Sequence, residues 1–274
     1  MDKELADKRE SLVREIRELG SCVIAFSGGT DSTLLFAVAK EVLGDRVLAI
    51  TATSATYPMR EREEAIKLAQ MINGPHRVIE SEEIDLPGFA ANPSNRCYYC
   101  KAELFSKLRA IADAEGLAHV IDGNNRDDCG DYRPGRQAAR EHGVRSPLDA
   151  AGFTKADVRA LSREMGLPTW DKPAYACLSS RFPYGTEITR EKLRQVEAAE
   201  EGLRKLGMRI VRVRHHDTVA RVELGETEFA QAVGPSRADV VCIVKAAGYA
   251  YVAIDLQGYR TGALNETLES GLKE

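Results

Sequence analysis

The stretch Cys22-Val23-Ile24-Ala25-Phe26-Ser27-Gly28-Gly29-Thr30-Asp31-Ser32 decides the fold. Its first five residues are apolar without alternation, which reads as a short strand buried on both faces of a sheet. Residues 33–43 resume as an apolar helix. Between them, Gly28 and Gly29 let the backbone turn tightly and bring its N–H groups close to a ligand. The helix that follows points the positive end of its dipole at the loop. Strand, glycine turn and helix together make an anion site. The loop has no lysine, so it is not the G-x-x-x-x-G-K-[ST] phosphate loop, and it does not read G-x-G-x-x-G. Asp31 is unusual in such a cradle, because a carboxylate repels phosphate. A bridging Mg²⁺ resolves the conflict; the plainer reading is a glycine turn with Asp31 capping the helix.

Outward from this stretch the pattern repeats. Residues 4–19 read as an amphipathic helix, with Leu5, Leu12, Ile16 and Leu19 near one face. Strands are expected at 46–52, 77–80 and 119–122, and helices at 60–72 and 102–115. Alternation of this kind implies an α/β fold, a parallel sheet with helices on both faces. Ligands of such sheets sit at the carboxyl ends of the strands. The segment 123–135, GNNRDDCGDYRPG, is turn-rich and lies at such an end, with Asn124, Asn125, Asp127, Asp128 and Arg133. Its polar composition also suits a plain solvated turn. Thr154-x-x-Asp157 reads as a capping box opening a helix over 154–165.

Residues 166–188 are loop-like, with Pro168, Pro173 and Pro183, and the expected domains are 1–188 and 189–274. The second reads as a small α+β unit: helix 190–206, strands 209–215 and 218–224, helices 226–233 and 236–247, and strand 249–256. Arg212 and Arg214 share one strand face. That pair suits a phosphate or carboxylates, or else a solvated face.

Of 274 residues, 43% are hydrophobic and 29% charged, as in a folded globular chain. No apolar run approaches the ~20 residues needed to span a bilayer, and the start, MDKELADKRE, lacks a signal-peptide core. A cytoplasmic location and no membrane partner are expected. The net charge of −4 argues against a nucleic-acid-binding surface. The six cysteines, Cys22, Cys97, Cys100, Cys129, Cys177 and Cys242, are not expected to form disulfides in a reducing compartment. Cys22 and Cys242 lie in apolar segments and read as core residues. Cys97 and Cys100 form a single C-x-x-C just before a helix, too few ligands for a structural zinc site. Cys177 lies in a loop between Pro173 and Arg181.

SGGTDS resembles the SGG-x-DS loop of the PP-loop ATP pyrophosphatases, which split ATP into AMP and pyrophosphate while adenylating a substrate. That superfamily includes NAD and GMP synthetases, tRNA-thiolating enzymes and LarE-type sulfur transferases. Further segments resemble the LarE family, whose members mature the nickel-pincer cofactor of lactate racemase. They are RCYYCK at 96–101, the 123–135 loop, KPAYACLSSRFPYGTEIT at 172–189, RVRHHDTVARVEL at 212–224 and GYRTGALNE at 258–266. The resemblance implies ATP and Mg²⁺ as cofactors, with Ser27, Gly28, Gly29, Asp31, Ser32 and Asn125 at the nucleotide. It implies a small anionic nucleotide substrate met by Arg181, Arg212 and Arg214, and metal binding at Asp31 and at Glu200. For sulfur it implies either sacrifice of Cys177, which becomes dehydroalanine, or a [4Fe–4S] cluster on Cys97, Cys100 and Cys177 whose open iron carries sulfide. The coexistence of three cysteines favours the cluster. LarE relatives suggest a homo-oligomer, a hexamer in form. A tRNA-thiolating enzyme is the rival from the same superfamily.

Overall fold

The computed structural model describes residues 3–129, 134–173, 176–260 and 262–266. Arg133 of the 123–135 loop lies outside them. The chain divides into two compact units, Met1–Glu83 with Asn95–Tyr175, and Ile84–Ser94 with Ala176–Glu274.

The first unit contains helix α1 (Lys3–Leu19), strand β1 (Cys22–Ala25), α2 (Thr30–Leu43), β2 (Val47–Thr53), α3 (Met59–Ile72) and β3 (His76–Glu80). After the excursion through α4 (Pro87–Ala90), which belongs to the second unit, come α5 (Arg96–Ala114), β4 (His119–Ile121), α6 (Pro134–Glu141), α7 (Pro147–Ala150) and α8 (Lys155–Glu164). The four strands are parallel, in the order β3-β2-β1-β4. Alternate residues feed opposite faces, as the two-residue strand period requires. Cys22, Ile24, Ala49 and Ile121 pack with α1, α2, α3, α7 and α8, whereas Val23, Ile50 and Val120 pack with α5 and α6. Both faces are covered, which is why the β1 run does not alternate. Burial also pushes the Cys22 thiol up to about 12, so it carries no thiolate at neutral pH.

The chain runs outward from β1 to β2 and β3, then returns to place β4 on the other side of β1. The loops after β1 and β4 therefore leave the sheet at a switch point, where an open α/β sheet receives its ligand.

The second unit contains α9 (Arg190–Lys205), β5 (Val211–His216), β6 (Val219–Leu224), α10 (Glu226–Val233), α11 (Arg237–Ala246) and β7 (Tyr251–Ile254). Strands β5 and β6 form an antiparallel hairpin, and β7 adds to β6 in parallel. Asp217 takes the left-handed conformation in the hairpin turn, at φ 50°. Leu203, Val211, Val213, Val222, Val240 and Val244 form this unit's apolar core. The 84–94 excursion is tied to it by the Asn92 amide, which donates to the Pro183 carbonyl at 2.7 Å.

Two sequence expectations need correction. The helix expected from residue 102 begins at Arg96, so Cys97 and Cys100 lie inside its first turns and not before it. The Tyr98 N–H already bonds to the Asn95 carbonyl at 2.8 Å, and the Tyr98 and Tyr99 rings stack edge-on 5.6 Å apart. Cys242 is exposed: α11 turns Val240 and Val244 inward, and Cys242 falls on its outer side. Among the described residues no helix is long and apolar enough to cross a membrane.

Phe36 packs against Phe26 with ring centroids 5.3 Å apart, and the backbone at Gly74 passes so close that a Cβ there would lie 2.5 Å from the ring. The Phe36→Ala variant should lose about 3–5 kcal/mol in urea unfolding. A loss under about 1 kcal/mol would show that this core collapses around the gap.

Candidate functional site

The glycine loop is stitched to the first turn of α2. The Ser27 N–H donates to Ser32 Oγ at 3.3 Å, the two hydroxyls lie 3.2 Å apart, and Ser32 Oγ donates to the Gly29 carbonyl at 3.2 Å. Gly28 sits at φ 66°, and a Cβ there would lie 3.1 Å from Cα and Cβ of Ala65 on α3. The loop needs glycine both for its conformation and for this close approach. Gly29 takes the N-cap position without a side-chain bond, so the first amides of α2 have no side-chain cap.

Asp31 lies in that first turn. Its Oδ1 accepts from the Asn125 amide at 2.9 Å, and its Oδ2 accepts from Lys155 Nζ. Asn125 belongs to the loop after β4, where a Cβ on Gly123 would come within 3.0 Å of the Ser32 nitrogen. The structure thus brings Ser27, Gly28, Gly29, Asp31, Ser32 and Asn125 together at the switch point. Asp122 fixes this second loop by accepting from Asn124 N–H at 3.2 Å and from Ser146 Oγ at 2.7 Å; burial outweighs these bonds and raises its pKa.

Sequence reading missed several residues of this site. Lys172 Nζ donates to the Gly28 carbonyl at 3.1 Å and pairs with Glu61 at 2.8 Å and Glu64 at 3.0 Å. Thr30 Oγ1 donates to the Thr169 carbonyl at 2.9 Å, and the Tyr57 hydroxyl donates to the Ser27 carbonyl at 2.7 Å. These come from segments distant in sequence and carry no local signature. Lys155 did carry one: it is a cation at the start of a helix, where the dipole disfavours it.

Cys97 and Cys100 belong to the first unit, three residues apart on α5 and so on one helix side. Cys177 belongs to the second unit and is exposed. Among the described residues, no group of three or more His, Cys, Asp or Glu stands arranged to hold a metal ion.

Cys177 precedes the short 3₁₀ turn Leu178–Arg181, and Arg181 holds that turn from beneath. Arg181 is 0% exposed and Glu200 2%. They form a fork-to-fork pair, Nε to Oε1 at 2.7 Å and Nη2 to Oε2 at 3.0 Å. Arg181 Nη1 donates to the carbonyls of Ala176 at 2.8 Å and Cys177 at 3.2 Å. Nη1 thus links the buried ion pair to the backbone at Cys177, and Arg181 holds the cysteine's turn. Glu200 also accepts from Val213 N–H at 3.0 Å and Arg204 at 3.3 Å. Burial alone would raise its pKa, yet Arg181 and then Arg204 and Arg212 hold it below the usual carboxylate range. Glu200, the expected metal ligand, is a carboxylate whose two oxygens accept from guanidinium and amide groups in this structure.

Arg212 and Arg214 are buried, so the solvated-face reading fails. The Arg212 guanidinium lies 4.9 Å over the Tyr259 ring and donates to the Val211 carbonyl at 2.8 Å. Burial, and next the Arg181 charge, lower its pKa. Arg214 donates to the Ser180 carbonyl at 2.6 Å and pairs with Glu223 at 2.7 Å. The cluster beneath the Cys177 turn holds more buried guanidinium than carboxylate.

Replacing Glu200 by Ala leaves Arg181 buried without its acid and should cost about 3–5 kcal/mol. Urea unfolding in EDTA measures this. Because the folded pKa of Glu200 is depressed, its contribution is present above the ordinary carboxylate range and fades as pH falls through the folded value. A variant as stable as the parent in EDTA would show that the Arg181–Glu200 pair contributes nothing to stability.

No protein-family model matches the chain. It is 48% identical over 265 residues to the uncharacterized protein slr1717 of Synechocystis, covering 96% of this chain and 99% of that one. It is 41% identical over 266 residues to the pyridinium-3,5-bisthiocarboxylic acid mononucleotide synthase of Lactiplantibacillus plantarum, covering 96% of each. It is also 25% identical over 213 residues to a glutamine-hydrolyzing GMP synthase of Aeropyrum pernix, covering 72% of this chain and 41% of that one. Identity sustained along the whole length of the Lactiplantibacillus synthase shows that the chain belongs to the LarE family.

Proposed function

We propose that this protein is an ATP-dependent sulfur transferase that adenylates a carboxylate of a pyridinium-dicarboxylate mononucleotide, releases pyrophosphate, and converts the carboxylate to a thiocarboxylate. The observation that carries this reading is the Ser27–Ser32 loop at the β1–β4 switch point with Asp31 at its mouth, in a chain related end to end to a bisthiocarboxylate-forming synthase. The likeness to a GMP synthase supports the ATP pyrophosphatase character of the loop.

The chain's own groups account for the first half of the reaction. The glycine-loop amides and the α2 terminus receive the pyrophosphate end of ATP. Asp31, partly exposed and offering hard oxygen, would hold a Mg²⁺. When bound, that ion neutralises phosphate charge. Adenylation turns the carboxylate oxygen, a poor leaving group, into AMP. A sulfur nucleophile then attacks the acyl carbon and AMP departs.

We assign Cys177 to the sulfur step and Arg212 and Arg214 to the positive field that meets the anionic substrate. Arg181 serves both by holding the turn. Cys97, Cys100 and Cys177 are the thiolates we assign to a [4Fe–4S] cluster, which when bound supplies an open iron able to carry sulfide. The second reading is favoured by the exposure of Cys177. In it, the Cys177 thiolate forms a thioester with loss of AMP, and loss of the Cα proton then releases the thiocarboxylate and leaves dehydroalanine. A homo-oligomer in the cytoplasm, using no nucleic acid, completes the proposal.

Two measurements test it. Product analysis with [α-³²P]ATP should show AMP, and Asp31→Asn should cut its formation about a hundredfold; ADP as product would refute the pyrophosphatase reading. Anaerobic iron analysis and intact mass separate the sulfur routes. Cluster use predicts iron that falls in each Cys→Ala variant and an unchanged Cys177 mass after turnover with sulfide. An iron-free active enzyme that loses the mass of H₂S at Cys177 is a sacrificial donor.

A further inference from the structure

We infer that the Cys177 carbonyl oxygen sits in a three-donor cradle built for an enolate, which speeds loss of the Cys177 Cα proton and with it the release of the cysteine's sulfur. The inference rests on the sacrificial reading above and deepens it by naming the groups that drive the elimination.

Three donors converge on one backbone oxygen. The Ser180 N–H reaches the Cys177 carbonyl at 3.0 Å, the Ser180 hydroxyl at 2.9 Å and Arg181 Nη1 at 3.2 Å. The first is the ordinary bond that closes the 3₁₀ turn Leu178–Arg181. The turn does not require the other two. A neutral carbonyl offers two lone pairs. An enolate oxygen offers three and carries negative charge. Three donors, one of them cationic, therefore suit the enolate better than the resting carbonyl, which is the condition for catalysis.

The donors are held in place before any charge develops. Arg181 is fully buried, and its fork pair with Glu200 fixes the guanidinium plane. Ser180 Oγ accepts from Arg181 Nη1 at 2.8 Å, which polarises its O–H toward the carbonyl. Arg214 donates to the Ser180 carbonyl at 2.6 Å and so holds the residue that supplies two of the three donors. Cys177 itself is exposed to a solvent base.

The step balances. Acylation has joined Cys177 Sγ to the acyl carbon of the substrate, and AMP has left. Solvent hydroxide takes the Cα proton and becomes water. The C–H electrons pass onto the Cys177 oxygen as the enolate and return as the Cα–Cβ double bond. The Cβ–S pair departs with the sulfur as thiocarboxylate, leaving dehydroalanine. An unacylated thiolate could leave only as sulfide, a far poorer leaving group, so the resting cysteine keeps its sulfur.

A chemical probe separates this elimination from ATP and substrate. α,α′-Dibromoadipamide turns an exposed thiol into a cyclic sulfonium, whose elimination to dehydroalanine needs the same Cα proton loss. Peptide mass mapping of the folded full chain should show Cys177 eliminating about a hundredfold faster than Cys242, which is also exposed. The gap should vanish in urea. Ser180→Ala removes one donor and should slow Cys177 about thirtyfold, as befits a hydrogen bond to a charged group. Ser180→Thr keeps the hydroxyl and should recover most of the rate, with Cys242 unaffected in both variants. With ATP and substrate, Ser180→Ala should accumulate the Cys177 thioester in intact mass. Equal rates at Cys177 and Cys242 in the folded chain overturn the inference, as does a Ser180→Ala sulfonium that eliminates like the parent. A Ser180→Ala enzyme that forms the thioester slowly and accumulates none points to a structural role and also overturns it. If Cys177 keeps its mass while thiocarboxylate forms, the sacrificial reading fails on its own, and the sulfonium comparison still decides whether the cradle acidifies Cα.

Discussion

A carboxylate placed inside a cradle for anions must be neutralised, and the first unit is organised around that requirement. Asp31 stands in the first turn of α2, where the amides that would receive phosphate also point. The fold answers by bringing two remote segments to it, Asn125 from the loop after β4 and Lys155 from the start of α8. Strand order makes the first meeting possible. Because β4 returns to the free side of β1, its loop arrives beside the glycine turn, and Gly123 is needed there because any Cβ would press on the Ser32 nitrogen. Topology, a glycine and a charge balance are thus one arrangement seen at three scales.

The second unit solves the inverse problem. Buried arginines need acid, and Glu200 and Glu223 supply it. Such pairs contribute little net stability once desolvation is counted, but removing one member is expensive. Their value lies in geometry. The bidentate Arg181–Glu200 pair fixes a guanidinium whose remaining nitrogen reaches the carbonyls of Ala176 and Cys177. The backbone at an exposed cysteine is thereby held by a fully buried ion pair, which leaves the thiol presented to solvent on a stiff turn.

The sequence made the sheet legible, because an unalternating apolar run followed by a glycine turn has few other uses. The Thr154–Asp157 capping box was legible for the same local reason and is present with both bonds. What escaped was non-local. Glu200 looks from sequence like any acidic position in a charged helix, and only the packing of α9 against β5 and the Arg181 turn reveals its partners. Arg212 and Arg214 were legible as a pair on one face, but strand periodicity does not tell a solvated face from a buried ionic one. The start of α5 was read six residues late because two cysteines and two tyrosines interrupt the apolar period; the helix forms through them all the same. From sequence Cys242 reads as core because Val240, Val241, Ile243 and Val244 flank it on α11, yet the helix period turns it outward.

The segment that carries Cys177 joins these two designs. Lys172 is bound to the Gly28 carbonyl and to Glu61 and Glu64, all in the first unit. Arg181 is bound to Glu200 in the second. Cys177 therefore lies on a stretch of chain whose upstream end is anchored at the glycine loop and whose downstream end is anchored at the arginine cluster. At most about 3.6 Å of reach per residue limits how far the thiol can stray from Lys172, whatever the units do. Under the proposed function, the Lys172 contacts at the glycine loop and the length of chain that follows them would keep the sulfur step within reach of the adenylated carboxylate.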